Sequence, residues 1–554
     1  MNFRSLIIIP ALFLPLFTTA QLSEYKEKQI DSLFIEWNKP DMPGGVIGVM
    51  KDDTMLYAKS LGFASIEYQV RVTDSTLFNI GSVSKQFTGM GIVRLAGQSR
   101  LSFDDDIRKY IPELPQFDRP VTIRNLLHHT SGLRSFYALL ALAGWRADDY
   151  RTNDDLMRFL VRQQALNFLP GDEYLYCNTG YILLAEIIQR VTGEKFTAWM
   201  KDSVFIPLGM LNTYIEDDPK RIVADNATSY YRLKSDSFER ALAYWGYTGS
   251  GNMHSTTDDL LTWLKNFYNP EKGWEDSFRK MLTTDTLNNG EENNYAFGIE
   301  IGSFDSYKRL QHRGGVGGFR SFICTYPSEK LSIVILTNFS SSGCEHIANR
   351  ISELILGRQA ESEQSSATDT AFSFIHLTNK DLAAFEASYW CDKDNYARKI
   401  TLRDDTLRYC RTGGIESALL PLTGYEFKMT GVSNNIIVQF YIDASGKKIM
   451  VVNINNNPPI LFEEYLPVML PEEAYTGCFY SPELETAYTI SVVYGKLVCH
   501  HPRLGDFDLK VLRKDLLQGK FPFELIRYIR DDSDTITGIR VSNPRVKNLW
   551  FEKR

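Results

Sequence analysis

The sequence predicts an α/β plus α domain, an antiparallel sheet flanked by helices with a helical subdomain, followed by two small all-β repeats. Three observations carry this expectation. Strand-rich apolar stretches lie at 44–72 and 296–338, with a mostly helical or loop segment from Leu101 to about Tyr244 between them. The segment 359–371 holds no large apolar residue and has the composition of a linker. Beyond it the chain repeats itself at about 90 residues, a period that suggests duplicated domains.

The elements follow in chain order. Met1–Ala20 carries Arg4, an apolar stretch Leu6–Phe17 and then Thr18-Thr19-Ala20, the pattern of an export signal. A membrane anchor needs about 20 apolar residues, and this stretch is shorter and broken by Pro10 and Pro15. An exported chain, periplasmic or secreted and without a transmembrane anchor, is expected. Gly44–Met50 and Met55–Ser60 are strand-like runs on either side of Lys51-Asp52-Asp53-Thr54, a hairpin signal. Ser82-Val83-Ser84-Lys85 opens a helix whose Phe87, Met90, Ile92, Val93 and Leu95 keep roughly helical spacing, with Gly97 near its end. Tyr176-Cys177-Asn178 follows the turn Pro170-Gly171 and precedes a helical run, Tyr181–Val191. His312-Arg313-Gly314, followed by Gly315, Gly317 and Gly318, leads into the strand pair Phe319–Tyr326 and Leu331–Asn338. The expected boundaries are 1–20 signal, 21–358 first domain, 359–371 linker, 372–465 first β repeat and 466–554 second β repeat.

In the tail, Phe385, Tyr389, Trp390, Ile400, Leu402, Leu407 and Leu422 correspond to Tyr475, Phe479, Tyr480, Ile490, Val492, Leu497 and Leu512. Leu461-Phe462-Glu463 echoes Trp550-Phe551-Glu552. Alternating apolar positions with turns at Asp404-Asp405 and Tyr494-Gly495 argue for small barrels or sandwiches. Two roles stay open for them: walling a cleft, or adding stability.

The 554 residues, 44% hydrophobic and 13% aromatic, suffice for a large core and more than one domain. The formal charge of −7 becomes −8 without Arg4, and no long basic run offsets it, which excludes nucleic acid as an expected partner. Seven scattered cysteines without a Cys-x-x-Cys pair support neither a zinc site nor a dense disulfide framework, and leave one or two disulfides open. His128-His129 and His500-His501 lack a convincing third ligand, so no metal and no cofactor is assigned. Oligomeric state stays open.

Ser-x-x-Lys puts a hydroxyl and an amine on one helical face. A serine is a poor nucleophile until something accepts its proton, and a desolvated lysine can do so. The spacing alone is weak, since Ser23/Lys26, Ser277/Lys280 and Ser445/Lys448 repeat it. Ser82 differs in being followed by the only Tyr-x-Asn and then the only His-x-Gly of the chain.

These three motifs, in this order, resemble the serine β-lactamase and penicillin-binding-protein superfamily. The class C-like branch, with its D-aminopeptidases, D,D-carboxypeptidases and esterases, is the nearest match. Phe78-Asn79-Ile80-Gly81, Val121–Leu133 and Gly249–Leu260 add to the resemblance, which covers roughly residues 25–355. It implies the α/β-plus-α architecture, lipocalin-like β tails and acyl transfer through a Ser82 acyl-enzyme. Lys85, Tyr176 and His312 would then be catalytic. Asn178 would hold Lys85 or the substrate amide, and Gly314 and Gly315 would lie at the oxyanion site, with N–H donors from Ser82 and Gly315. The expected substrates are D-amino-acid-containing, cell-wall-type peptides. Small esters or weak β-lactamase action are the alternatives, and a non-turnover sensor is the other class. His312 stands where relatives commonly carry a lysine that holds a substrate carboxylate, so it supplies less positive charge. Arg320 and Arg134 are candidate carboxylate binders, and Cys177 is expected to be a packing residue.

Overall fold

Asp52 and Asp53 both take positive φ, 49° and 61°. This is the two-residue turn that matches the twist of a hairpin. It joins β1 (Gly45–Lys51) to β2 (Thr54–Leu61). The computed structural model describes residues 22–234, 237–357, 372–393, 396–411, 415–432, 434–455, 457–465 and 470–554. The expected export signal and the expected linker lie outside the described residues.

Helix α1 (Glu24–Ser32) precedes β1. After β2 come α2 (Ser84–Gly97), α3 (Asn178–Thr192) and α4 (Thr257–Lys265). Four further strands follow, β3 (Glu300–Phe304), β4 (Tyr307–Val316), β5 (Phe319–Tyr326) and β6 (Leu331–Thr337), and then α5 (Cys344–Leu356). They make one antiparallel sheet in the order β3-β4-β5-β6-β1-β2, with Val49 opposite Ile333 and Gly315 opposite Arg320. Every residue of β6 is buried, because the sheet is covered on both faces. Ile333 and Ile335 pack with Ile30, Ile347 and Ile351 of α1 and α5. Val334 and Leu336 point the other way, into the core built around α2, α3 and α4. Helix α2 is buried on every side from Ser84 to Val93, polar Ser84, Lys85, Gln86 and Thr88 included, as suits an interior helix that carries a site. Helix α3 stops at Gly193 in the left-handed conformation, φ 78°. Among the described residues no helix is long and apolar enough to cross a membrane.

The duplication in the tail is visible strand by strand. Ala387–Cys391, Tyr396–Arg403 and Thr406–Cys410 recur as Gly477–Ser481, Thr486–Val493 and Lys496–His501. The final strand returns to the first in both: Trp390 pairs with Glu463, and Tyr480 with Glu552. Yet the repeats differ. The first is a closed eight-strand barrel around its own core of Tyr389, Leu407, Phe427 and Phe462. The second is an open nine-strand sheet with Gly505–Asp508 and Lys510–Arg513 at its two edges. Its Phe479, Tyr488, Leu497 and Phe551 belong to the same apolar core as α2 and α3. The Tyr488 hydroxyl donates to the Leu142 carbonyl at 2.9 Å, and Arg134 pairs with Glu483 at 2.6 Å. Arg134 is therefore a buried fastener between sheet and helical subdomain rather than a carboxylate binder in the cleft. All seven cysteines are free thiols.

One hairpin of the second sheet, β7 (Ile536–Asn543) and β8 (Val546–Lys553), turns at Pro544-Arg545. Its tip is clasped by the first domain. The Arg545 carbonyl accepts from Ser135 N at 3.2 Å and from Asn167 Nδ2 at 3.2 Å. Lys547 N donates to Asn167 Oδ1 at 2.7 Å.

Candidate active site

Residues 81–83 form a 3-10 turn that runs directly into α2. It puts Ser82, half-buried among buried neighbours, at the floor of a cleft of about 700 Å³. Gly81 sits at φ 52°, and a Cβ there would stand 2.5 Å from Gly315 N. Only glycine lets this turn lie flat against β4. Gly314 and Gly315 thus border the cleft beside Ser82.

One helical turn on, the Lys85 side chain is fully buried. Its Nζ lies 3.0 Å from Ser82 Oγ and donates to Asn178 Oδ1 and to the Ser250 carbonyl, each at 2.7 Å. Asn178 is brought there as the first residue of α3. Ser250 is brought by the bend at 249–251 that precedes the strand Met253–Ser255, and Thr88 Oγ1 anchors this bend through the Gly249 carbonyl at 2.7 Å. Gly249 has φ 95°, and a Cβ would meet the Tyr181 carbonyl at 2.4 Å. Burial, and secondarily the positive charge of Arg545, hold the Lys85 amine well below its ordinary range.

Tyr176 lines the same cleft as Ser82, and its ring centroid lies 4.8 Å from Lys85 Nζ. Burial raises its phenol strongly, so it is a protonated hydroxyl at neutral pH. Cys177 is buried, with Sγ 3.2 Å from the Leu133 carbonyl, and burial raises its thiol. That is the packing position expected of it.

His312 has both ring nitrogens engaged. Nδ1 lies 2.7 Å from the Arg313 carbonyl and Nε2 2.9 Å from the Tyr295 hydroxyl. A carbonyl only accepts, so Nδ1 carries the proton, and Nε2 accepts from Tyr295. Burial first, then the charge of Lys85, pull the imidazole down to about 3, so it is neutral. Arg313, on the other face of β4, is exposed and pairs with Glu345 at 3.5 Å and Glu300 at 4.0 Å. Arg320 lines the cleft, but its Nη1 donates to the Gly317 and Phe319 carbonyls at 2.9 and 2.7 Å.

The structure brings Ser82, Lys85, Tyr176, Asn178, His312, Gly314 and Gly315 to one cleft. It adds residues that the motifs did not single out. His129 is buried with its ring 4.3 Å from Tyr176 and 4.5 Å from Tyr295, and its Nδ1 accepts from Cys177 N at 3.0 Å. His129 lies in the Val121–Leu133 segment, where the paired histidines suggest a metal ligand more readily than a neighbour of Tyr176. Tyr295 lies in no motif, and Ser250, inside the Gly249–Leu260 segment, acts through a carbonyl that no side-chain pattern marks. Arg545 reaches the cleft from the second β repeat.

The Beta-lactamase family profile matches residues 30–356, more than half of the chain. A D-aminopeptidase of Gluconobacter oxydans (strain 621H) is 30% identical over 338 residues, 60% of this chain and 63% of that protein. The chain thus spans less than two thirds of the length of that relative. Penicillin-binding protein 4* of Bacillus subtilis (strain 168) is 25% identical over 454 residues, covering 78% of this chain and 97% of that one. Among solved structures, the octameric penicillin-binding protein homologue from Pyrococcus abyssi superposes with TM-score 0.54 at 25% identity, covering 79% of this chain and 99% of that one. With the sheet, the helix-borne Ser-x-x-Lys and the facing Tyr-x-Asn in place, the chain belongs to the Beta-lactamase family.

Proposed function

We propose that this protein is an exported serine hydrolase that cleaves amides or esters through a Ser82 acyl-enzyme, with D-amino-acid-containing peptides as its substrates. One observation carries the chemistry. A neutral amine has two N–H groups and one lone pair. At Lys85 two acceptor-only partners, Asn178 Oδ1 and the Ser250 carbonyl, take the two N–H groups. The lone pair is left facing Ser82 Oγ at 3.0 Å. The serine proton passes to Lys85 as Oγ attacks the carbonyl carbon. The oxyanion that forms lies against the Ser82 and Gly315 N–H groups, each such donor being worth roughly 10²–10³ in rate. Tyr176, a neutral phenol on the same cleft wall as Ser82, hands a proton to the departing nitrogen or oxygen, and Lys85 restores it. Water then cleaves the ester by the reverse relay. His312, held at both nitrogens, is a positioning residue that keeps Tyr295 and β4 in place beside the cleft. The named activity of the D-aminopeptidases among the relatives supports the choice of D-configured substrates, and the pattern of Met1–Ala20 supports export.

The test is mass spectrometry of the protein after reaction with a fluorophosphonate and with a chromogenic D-amino-acid amide. The adduct is expected on Ser82 and absent in Ser82→Ala. An adduct on Ser23, Ser277 or Ser445 with Ser82 unmodified would overturn the assignment.

A further inference from the structure

The cleft over Ser82 is lined by arginines, and they are not equivalent. Arg134 lies outside the cleft lining and is spent on Glu483. Arg313 is shared between Glu300 and Glu345. Arg320 folds back onto two carbonyls of its own hairpin. Arg545 differs from all three. It is carried by the β7–β8 turn of the second repeat, and its Nη1 donates to the Tyr176 carbonyl at 2.5 Å. Its guanidinium lies 5.2 Å from the Tyr176 ring centroid and borders the same cleft as Ser82. A guanidinium offers five N–H donors in a planar fork. Among the described residues no carboxylate forms an ion pair with Arg545. The main-chain clasp on the Pro544-Arg545 turn fixes where the fork stands, so its ordering is completed before any ligand arrives.

We propose that Arg545 is a specificity-determining residue that binds a carboxylate on the leaving group of the substrate, so that the last domain of the chain selects substrates whose departing part is anionic. The side follows from Tyr176. In the mechanism above, on which this inference rests, that phenol protonates the leaving atom, so a cation over Tyr176 faces the leaving group rather than the acyl part. An Arg–carboxylate pair is charge-assisted and frequently bidentate, which gives direction as well as strength. It also supplies the positive charge that a neutral His312 does not.

The test uses a matched pair of thioesters of one N-acylated D-amino acid, with thioglycolate or its methyl ester as leaving group, and the full-length protein. Wild type is expected to prefer the carboxylate substrate by about 10- to 100-fold in kcat/KM, the size of one charge-assisted hydrogen-bonded contact. Arg545→Gln should collapse this ratio by at least tenfold, chiefly through KM, and Arg545→Lys should restore part of it. The clasp is made by main-chain atoms of residue 545, so these side-chain variants keep it. A ratio unchanged in Arg545→Gln, or a ratio lost in Arg320→Gln and kept in Arg545→Gln, overturns the inference. So does an equal fall on both thioesters, which would make Arg545 a support for Tyr176 alone. Wild-type turnover of both thioesters without preference refutes the carboxylate site and leaves the hydrolase standing. Absence of acylation at Ser82 by either thioester refutes both.

Discussion

Glu483→Gln isolates the bridge that fastens the second β repeat to the helical subdomain. Arg134 and Glu483 lie 2.6 Å apart with side chains only 2% and 5% exposed. Arg134 has a second partner in the Lys547 carbonyl at 3.3 Å. Removing one member of a buried pair leaves the other charge uncompensated, which costs about 3–5 kcal/mol. Glutamine keeps an acceptor, so the low end applies: about 3 kcal/mol, or roughly a hundredfold in the docked-to-undocked ratio. Hydrogen exchange at 543–547 should accelerate by a comparable factor, and urea unfolding should gain an earlier phase. The double variant Arg134→Met with Glu483→Leu should recover most of the loss, since an apolar pair of similar volume is often as stable as a buried ion pair. A Glu483→Gln protein within about 0.5 kcal/mol of wild type, with unchanged exchange at the hairpin tip, would refute the fastening role.

Four further outcomes are expected. Lys85→Met and Tyr176→Phe should each lower kcat at least about 100-fold with the fold intact, read by steady-state kinetics and circular dichroism; unchanged turnover removes the residue from the mechanism. The rate should rise with pH through the depressed Lys85 titration, and Arg545→Gln, by deleting a like charge, should raise that titration and move the acid limb of kcat to higher pH; a limb that moves to lower pH contradicts it. Burial holds His254 and His312 at about 3 against an ordinary 6.5, so the unfolded chain takes up their protons first as pH falls. Stability should drop between about 6.5 and 3, by up to about 1.4 kcal/mol per pH unit for each histidine, and His254→Asn should flatten the pH dependence of the urea midpoint by one proton. Gly81→Ala forces a Cβ to within 2.5 Å of Gly315 N at φ 52°; activity should be lost while the unfolding free energy from urea titration falls by only about 1–3 kcal/mol.

What could be seen from sequence was what local chemistry writes into neighbouring residues. Asp52-Asp53 announces its hairpin because two adjacent short polar residues tolerate positive φ. The period of the tail is legible because each strand must repeat its inward face. Ser82, Lys85 and Asn178 are legible because proton transfer needs those side chains at those spacings. The contacts that finish the site have no such trace. Ser250 acts through its carbonyl, which any residue provides. Tyr295 and His129 are aromatic residues in apolar company, indistinguishable by pattern from core packing. Arg545 lies 369 positions from the Tyr176 it touches, and nothing near it in sequence marks a cleft. Arg134 shows the converse: its residue type suited a carboxylate site, and burial beside Glu483 used it for docking instead. The two repeats share their strand pattern, yet one closes and the other opens, because the second has the first domain's apolar surface to cover.

The shared core has a consequence in time. Ser82, Tyr176 and His312 are all synthesised long before β8, and the first barrel, with a core of its own, intervenes as a separate folding unit. A nascent chain therefore holds the proposed nucleophile and proton relay while the surface meant for the second sheet is still bare and the cleft lacks one wall. Such an intermediate must hold an open apolar face until the β7–β8 hairpin docks, a long-range step of the kind that folds slowly. Under the proposed role of Arg545, substrate selection then arrives last, as a late checkpoint on a site whose Ser82, Lys85 and Tyr176 are in place first.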